Sequence, residues 1–234
     1  MRAARNQGIP RYSGLVARSL VLAAVAAALC AVTAGAAGGP LAPLSTLGKL
    51  QPAPDPGTSG PEAFPVPDAA ALAPAFSVPR RRRTVDGIRC QSNEPLRMHV
   101  HTHLTLFVDG RQRSLPAGIG IWPPLPAKEV AAGQFFVTPR YCFSWLSTHF
   151  ADGIVHTEAP VLRSFVLGEL FDVWGQPLGR RRLGPESGPV TAIVNGKVWT
   201  GDPRKIPLVS HTQIQLEVGR PLVAPQTVEW PGTF

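Results

Sequence analysis

Apolar and polar residues alternate along the segment that ends at Val108. Because successive side chains of a β-strand point to opposite faces, this pattern predicts a strand with one mainly apolar face. The opposite face of that strand carries three histidines. The two faces consist of Val100, Thr102, Leu104, Leu106 and Val108, and of His99, His101, His103, Thr105 and Phe107. The dipeptide Asp109-Gly110 follows and predicts a hairpin turn.

Similar patterns recur toward the C-terminus. Strands are predicted over Val190–Val194 and residues 197–200, around an Asn195-Gly196 turn, and over Thr212–Val218. Apolar residues near helical spacing predict a helix over residues 162–174. The 26 prolines and 23 glycines argue against a largely helical protein. The chain is therefore predicted to be mainly β, or α+β: a single β-rich domain with one short helix, arranged as a sandwich or a β-grasp-like fold.

The first 37 residues have the layout of an export signal. Four arginines precede an apolar run over residues 20–32, and Ala36 fits an Ala-x-Ala cleavage site. Cys30 follows Leu29 rather than the small residue of a lipobox, so it is assigned to the signal core. Residues 1–37 are predicted to be a signal peptide or, if uncleaved, an N-terminal anchor of roughly the minimum spanning length. The protein is thus predicted to be exported: periplasmic, cell-surface or secreted, and tethered if the segment is retained.

Residues 38–87 are predicted to be a linker rich in proline and alanine. Ten of the 26 prolines fall between Gly38 and Pro79, and no apolar period is sustained there. This composition is typical of an extended spacer that holds a domain away from a membrane or a wall. The arginine run at residues 80–83 suits anionic lipid or envelope polymer, a processing site, or a solvated linker end. The domain itself is predicted over residues 88–234.

The formal net charge of +8 is unevenly distributed. Residues 1–87 hold nine Lys/Arg and four Asp/Glu, giving +5, whereas residues 88–234 hold fourteen and eleven, giving +3. Most of the basic excess therefore lies outside the predicted domain, and the chain has only two tyrosines for stacking on bases. These counts predict no nucleic-acid partner.

Cys90 and Cys142 are the only cysteines of the predicted domain. In an oxidising compartment such a pair is more often a disulfide than a metal site, so a bond between them is predicted. The alternative is a blue-copper centre in which Cys142 would bind copper beside His149 and His156. The intervals of seven residues among these three side chains are wider than blue-copper loops usually have.

Five of the six histidines fall in two clusters separated by a long loop. On the predicted strand, successive imidazoles of the first cluster would lie roughly 6–7 Å apart on one face. The second cluster is predicted to be a strand–turn–strand unit around Asp152-Gly153, with Asp152 or Glu158 as an oxygen donor or as an acceptor for a ligand ring. Imidazole is a common ligand of zinc and copper. The candidate ligands of a copper or zinc ion are His99, His101, His103, His149, His156 and Glu158.

Several short motifs follow one another in residues 88–231. They are the His-x-His strand of residues 98–110, the Pro-Ala-Gly-Ile-Gly-Ile loop of residues 116–121, Cys142, Thr148-His149, the Gly-Ile-Val-His-Thr-Glu segment of residues 153–158, and residues 165–175. This order resembles an uncharacterised family of exported or membrane-anchored bacterial domains, and the resemblance implies no established activity. Similar proteins tend to carry a histidine and an aspartate where this chain has Ser147 and Phe150. His149, His156 and Glu158 match the pattern, as do His99 and His101 or His103.

Three function classes follow from these residues. The first is an extracytoplasmic domain that takes up copper or zinc for buffering, sensing or delivery, with the metal ion as its partner. The second is a cupin-like metalloenzyme, but no glutamate follows His103 at the short interval that cupins use. The third is a metal-free envelope interaction domain whose histidines are structural and whose partner is an envelope or membrane protein. The sequence favours the first class.

Overall fold

A computed structural model describes residues 40–75, 84–131 and 134–232, which fall in one compact unit. The predicted signal segment, Cys30 and the arginine run at residues 80–83 lie outside the described residues. Within the described ranges, no helix is both long enough and apolar enough to cross a membrane.

The described residues form mainly β-strands with one α-helix, which confirms the predicted β-rich domain. The strands are β1 Leu41–Ala42, β2 Thr58–Ser59, β3 Pro65–Val66, β4 Cys90–Gln91, β5 Met98–Val108, β6 Arg111–Arg113, β7 Ile121–Ala131, β8 Gln134–Ser144, β9 Leu146–Ser147, β10 Ile154–Ala159, β11 Leu178–Gly179, β12 Arg182–Leu183, β13 Glu186–Ser187, β14 Val190–Val194, β15 Lys197–Trp199 and β16 Thr212–Val218. The helix α1 covers Leu167–Trp174, and short 3-10 helices cover Leu44–Leu47 and Pro203–Lys205.

Eight of these strands form one sheet in the order β1-β15-β14-β16-β5-β10-β9, with β6 also paired to β5. Strand β5 runs parallel to β16 and antiparallel to β10. Two predicted turns connect neighbouring strands, at Asp109-Gly110 and at Asn195-Gly196. All four turn residues have positive φ, as a two-residue hairpin turn requires. The predictions for β5, for the β14–β15 hairpin and for β16 are thus confirmed.

One face of this sheet packs against α1 and forms the main hydrophobic core. Because alternate residues of a strand share a face, the apolar positions of β5 and β16 line up across the parallel pair. The core side chains are Leu104, Leu106 and Val108 from β5, Ile214, Leu216 and Val218 from β16, and Leu167, Leu170, Phe171 and Trp174 from α1.

Helix α1 begins five residues later than predicted, at Leu167. The preceding residues are extended because the Phe165 carbonyl accepts a hydrogen bond from the Leu208 amide, and Val166 forms a β-bridge with Pro207. The helix then starts where the Glu169 carboxylate accepts a hydrogen bond from the Val166 amide, which satisfies a backbone donor at the helix N-terminus. Its end agrees with the prediction.

The opposite face of the large sheet, here called the polar face, carries most of its buried polar side chains together with Phe107 and Ile154, and the C-terminal residues cross it. Gln213, Gln215 and Glu217 of β16 lie on this face. Their side chains bond the backbone of residues 223–228; for example, the Val223 amide donates to Glu217 Oε2 and the Val228 amide donates to Gln213 Oε1. These bonds replace hydrogen bonds to water for the buried side chains.

Part of the predicted linker also packs on the polar face. Phe64 is fully buried, clusters with Ile154 and Val228, and lies edge-on to Trp230 at a ring-centroid distance of 5.1 Å. Strand β1 extends the large sheet by pairing with β15. Residues 40–75 therefore differ from the expected spacer, because isolated apolar residues such as Phe64 anchor short pieces of chain that have no periodicity of their own.

The segment between the two histidine clusters is a hairpin rather than the expected long loop. Strands β7 and β8 pair with each other, and β4 pairs with the C-terminal end of β8. Cys90 of β4 and Cys142 of β8 form the predicted disulfide. The pairing register of β7 and β8 shifts at three points, and several prolines fall within both strands, so no regular alternation marks them in the sequence.

Candidate metal centre

The site lies on the polar face, where β5 and β10 run side by side. Their antiparallel register sets His156 opposite His101 and Glu158 opposite His99. Directly opposed residues of neighbouring strands have side chains on the same face within contact distance. The alternation that predicted a histidine face on β5 therefore also aligns it with the histidine and glutamate of β10.

Three imidazoles and a carboxylate converge at this point. The Nε2 atoms of His99 and His101 are 3.1 Å apart, and His99 Nε2 is 3.2 Å from Glu158 Oε1. The rings of His101 and His156 meet edge to face at a centroid distance of 4.7 Å. One ligand atom each from His99, His101 and His156 lies within 4.8 Å of the other two. We name these three residues and Glu158 the strand cluster; its residues could hold a metal ion.

His149 reaches the site from the loop between β9 and β10, not from a strand as predicted. Its ring lies 4.8 Å from that of His156, edge to face, and stacks on Phe136 at 4.6 Å. The expected proximity of His149 and His156 is thus present, although the loop from Thr148 to Gly153 is longer than a tight Asp-Gly turn. One ligand atom each from Glu94, His149 and Glu158 lies within 4.8 Å of the other two, a second group that could hold a metal ion.

The Pro-Ala-Gly-Ile-Gly-Ile loop fixes the residue before His149. The Thr148 hydroxyl donates to the Pro116 carbonyl and accepts from the Ile119 amide, and the Thr148 amide donates to the Ile119 carbonyl. Gly120 has a φ of 70°, and a Cβ there would lie 2.1 Å from the Leu146 carbonyl oxygen. The glycine motif therefore permits a close approach of two backbones that orients the histidine loop.

His103 does not join either group, although it shares the face of His99 and His101. Its Nε2 bonds to the Asp152 carbonyl oxygen at 3.0 Å, and its Nδ1 lies 3.4 Å from the Thr105 hydroxyl. Both ring nitrogens are therefore engaged within the protein. Gly153, with a φ of 88°, packs against this ring, and a Cβ there would lie 2.9 Å from His103 Nε2. His103 supports the loop that carries His149.

Glu62 and Glu94 belong to the site, although no periodic pattern marks either residue. Glu62, from the predicted linker, has Oε1 3.0 Å from His156 Nε2, and its side chain is 10% exposed. Glu94 precedes β5 and has Oε1 3.7 Å from His149 Nε2, with a side chain that is 36% exposed. Each is a single carboxylate in an irregular segment. Their place in the site could be predicted only if one knew which chain segments cover the polar face.

Asp152, Ser147 and Phe150 lie close to the histidines without completing a ligand group. The Asp152 carboxylate accepts a hydrogen bond from the Ile154 amide, and its burial is nearly complete. Ser147 is opposite His156 in the register of β9 and β10 and is fully buried, as Phe150 nearly is. Ser147 therefore lies beside the site.

Burial keeps His101, His103, His149 and His156 neutral at neutral pH. It lowers the pKa of His101 and of His156 to about 3, with a further lowering by neighbouring histidines, and it lowers the pKa of His149 to about 4. The pKa of buried His103 is also lowered to about 4. A metal ion binds the neutral imidazole, so no proton has to leave these rings when an ion arrives at neutral pH.

Burial acts in the opposite direction on the carboxyl groups. It raises the pKa of Glu62 and of Glu158 to about 7, and that of Asp152 to about 8 with a further contribution from the neighbouring Glu62. Among the described residues, the buried atoms that make no hydrogen bond include Glu62 Oε2, Asp152 Oδ2, His156 Nε2 and Glu158 Oε2. His156 Nε2 is near Glu62 but not at hydrogen-bonding geometry. Unpaired buried polar atoms are costly, and a cation would compensate the ones that face it.

The metal-free protein is expected to lose stability as pH rises from about 6.5 to about 8. Below pH 6.5 the lowered pKa values of the four buried histidines and the raised pKa values of the buried carboxyl groups, Glu217 among them, act on stability in opposite directions. As pH rises above 6.5, the folded carboxyls hold protons that the unfolded ones release, so stability falls until about pH 8. Urea unfolding in a chelator at several pH values measures this curve; a midpoint that rises between pH 6.5 and 8 would contradict it.

The donor set combines imidazole nitrogens with carboxylate oxygens, which suits a divalent transition metal better than a calcium or magnesium ion. The strand cluster is reached from solvent at His99, whose side chain is 43% exposed, whereas His156 and Glu158 are buried. An ion can therefore enter from the side of His99 and bind against the buried side chains of His156 and Glu158.

No protein-family model, curated protein or solved structure matches the chain, so the interpretation of this site depends on its geometry alone.

Proposed function

We propose that the protein is an extracytoplasmic domain that reversibly binds a copper or zinc ion. The observation that carries the proposal is the convergence of His99, His101 and His156 with the Glu158 carboxylate. Four ligands at about 2.0–2.1 Å in tetrahedral geometry lie roughly 3.3 Å from one another. The separations of His99 Nε2 from His101 Nε2 and from Glu158 Oε1, 3.1 and 3.2 Å, are close to that value.

The protonation of the site supports uptake at neutral pH. Buried His101 and His156, whose pKa values are lowered to about 3, provide neutral donors, and the carboxyl group of Glu158, whose pKa is raised to about 7, would have to lose its proton. Zinc and copper(II) both accept three imidazoles and one carboxylate, so the donor set does not separate these two metals. The carboxylate of Glu62 lies 3.0 Å from His156 Nε2, and a reorientation that brings the two groups to hydrogen-bonding geometry would make it an outer acceptor for the ring of a bound histidine.

The disulfide and the N-terminal sequence support the proposed compartment. A disulfide bond persists in the periplasm, at the cell surface or in the medium and is rare in the cytosol. The Cys90–Cys142 bond in the structure is consistent with export, as is the charged and then apolar pattern of the first 37 residues. In such a compartment a domain of this kind could buffer, sense or deliver a metal ion.

Metal content tests the proposal directly. The full chain, exported to a bacterial periplasm and purified without a histidine tag, is expected to retain copper or zinc after loading and extensive dialysis. Inductively coupled plasma mass spectrometry before and after loading gives the number of ions per chain. Absence of retained metal under both loadings would overturn the proposal and favour a metal-free envelope interaction domain.

A further inference from the structure

The Glu158 carboxylate stands between two groups of metal-binding side chains. Its Oε1 lies 3.2 Å from His99 Nε2 and 3.9 Å from His156 Nδ1, both in the strand cluster. A ligand atom of the same carboxylate lies within 4.8 Å of ligand atoms of Glu94 and His149. Glu158 is 4% exposed, and its Oε2 has no hydrogen-bond partner among the described residues. One carboxylate is thus available to both groups, with one of its oxygens unused.

His149 is oriented to present its Nε2 atom as a ligand. Its Nδ1 lies 2.9 Å from the Val137 carbonyl oxygen, which can only accept a hydrogen bond, so the proton resides on Nδ1. The lone pair then lies on Nε2, which is 3.7 Å from Glu94 Oε1. Metal-ligating histidines in proteins commonly have this arrangement, in which a backbone carbonyl fixes the tautomer. Stacking on Phe136 holds the ring plane.

The two groups together offer more ligands than one metal ion binds, and they lie close enough together to hold two ions. Together they offer four imidazoles, from His99, His101, His149 and His156, and the carboxylates of Glu94 and Glu158. The rings of His149 and His156, one from each group, have centroids 4.8 Å apart. Protein sites with two metal ions hold them about 3.5–4 Å apart, and a bridging carboxylate suits that separation.

We propose that Glu158 bridges two divalent metal ions, one held by His99, His101 and His156 and the other by His149 and Glu94. This inference rests on the proposed function, because it assumes that the strand cluster binds metal, and it adds a second ion, a new ligand in Glu94 and a bridging role for Glu158. The second ion has fewer protein ligands, so it binds more weakly and keeps open positions for water or an anion. Its exposed ligand, Glu94, is on the solvent side.

Titration of the metal-free full chain with zinc tests the second ion. Isothermal titration calorimetry, checked by equilibrium dialysis and mass spectrometry, is expected to give two ions per chain in two steps. Glu94→Gln is expected to weaken the second step at least tenfold and leave the first unchanged. Because Glu94 is exposed, this variant is expected to keep the wild-type fold, as a far-ultraviolet circular dichroism spectrum would verify. Glu229→Gln, which alters another exposed glutamate outside both groups, is the matched control.

Copper(II) provides a spectroscopic test of the bridge. With one equivalent, electron paramagnetic resonance is expected to give the signal of an isolated ion; with two, the signal should broaden or weaken because the two spins couple. Glu158→Gln is expected to remove the coupling.

The outcomes separate the two proposals. A single ion whose affinity is the same in wild type and Glu94→Gln would overturn the dinuclear site but leave the proposed function intact. Absence of any bound ion would overturn both. Two ions with independent copper signals would overturn the bridge.

Discussion

A variant in which both His101 and His156 are replaced by alanine is expected to lose high-affinity binding of zinc and copper(II). The two rings face each other across β5 and β10 and supply two of the three imidazoles of the strand cluster. Loss of even an outer partner of a metal ligand costs about 10- to 100-fold in affinity, so loss of two ligands should weaken binding by more than roughly 100-fold. Equilibrium dialysis of the wild type and the variant at equal free metal concentration measures this difference.

The matched control for the double variant is His211→Asn. His211 lies outside both metal-binding groups, and its backbone amide, which the variant keeps, donates a hydrogen bond to the His101 carbonyl. Its positive φ of 61° is tolerated better by asparagine than by alanine. Its replacement is expected to leave the affinity within a factor of a few of the wild-type value. An unchanged affinity in His101→Ala/His156→Ala, with circular dichroism verifying that the fold is intact, would exclude the strand cluster as the site.

Local sequence patterns predicted the framework of the site. The alternation along β5 set three histidines on one face, and the Asp-Gly and Asn-Gly dipeptides marked two hairpins. These features follow from interactions between residues close in sequence, since the period of a strand and the φ angles of a turn are local properties. The pairing of β5 with β10, which aligns His101 with His156, depends on register and could only be suspected from the second histidine cluster.

The chain segments that cover the polar face could not be predicted from local sequence patterns. Glu62 approaches His156 from a segment rich in proline, and its position depends on Phe64, a single apolar residue that enters a small cluster with Ile154 and Val228. Such anchoring produces no periodic pattern. The β7–β8 hairpin was missed for a related reason, because prolines and register shifts interrupt its alternation.

The same face of a strand also supports two different roles. His99 and His101 lie opposite Glu158 and His156, whereas the partner of His103 is Ile154, and the Asp152 carbonyl accepts a hydrogen bond from its ring. The residue across the strand pair thus decides whether a histidine meets other ligands or supports a loop. Spacing along one strand predicts the face that a side chain occupies, but the neighbouring strand determines its environment.

Removal of the disulfide, by replacing both Cys90 and Cys142 with alanine, is expected to lower the free energy of unfolding by about 4 kcal/mol. The bond joins residues 52 positions apart, so it closes a long loop and restricts the unfolded chain. Urea unfolding of the metal-free wild type and the variant, without reductant, measures the difference. A loss below about 1 kcal/mol would mean that the strand pairing of β4 with β8 holds this part of the domain without the bond.

The same variant is expected to affect the two proposed metal positions unequally. The disulfide joins β4, which leads to Glu94, to β8, whose Phe136 stacks on His149 and whose Val137 carbonyl bonds its Nδ1. The strand cluster is instead held by the direct pairing of β5 with β10. Zinc titration of the refolded variant should therefore show a weakened second step and a preserved first step. Equal weakening of both steps would mean that the disulfide supports the whole polar face rather than the His149 side of it.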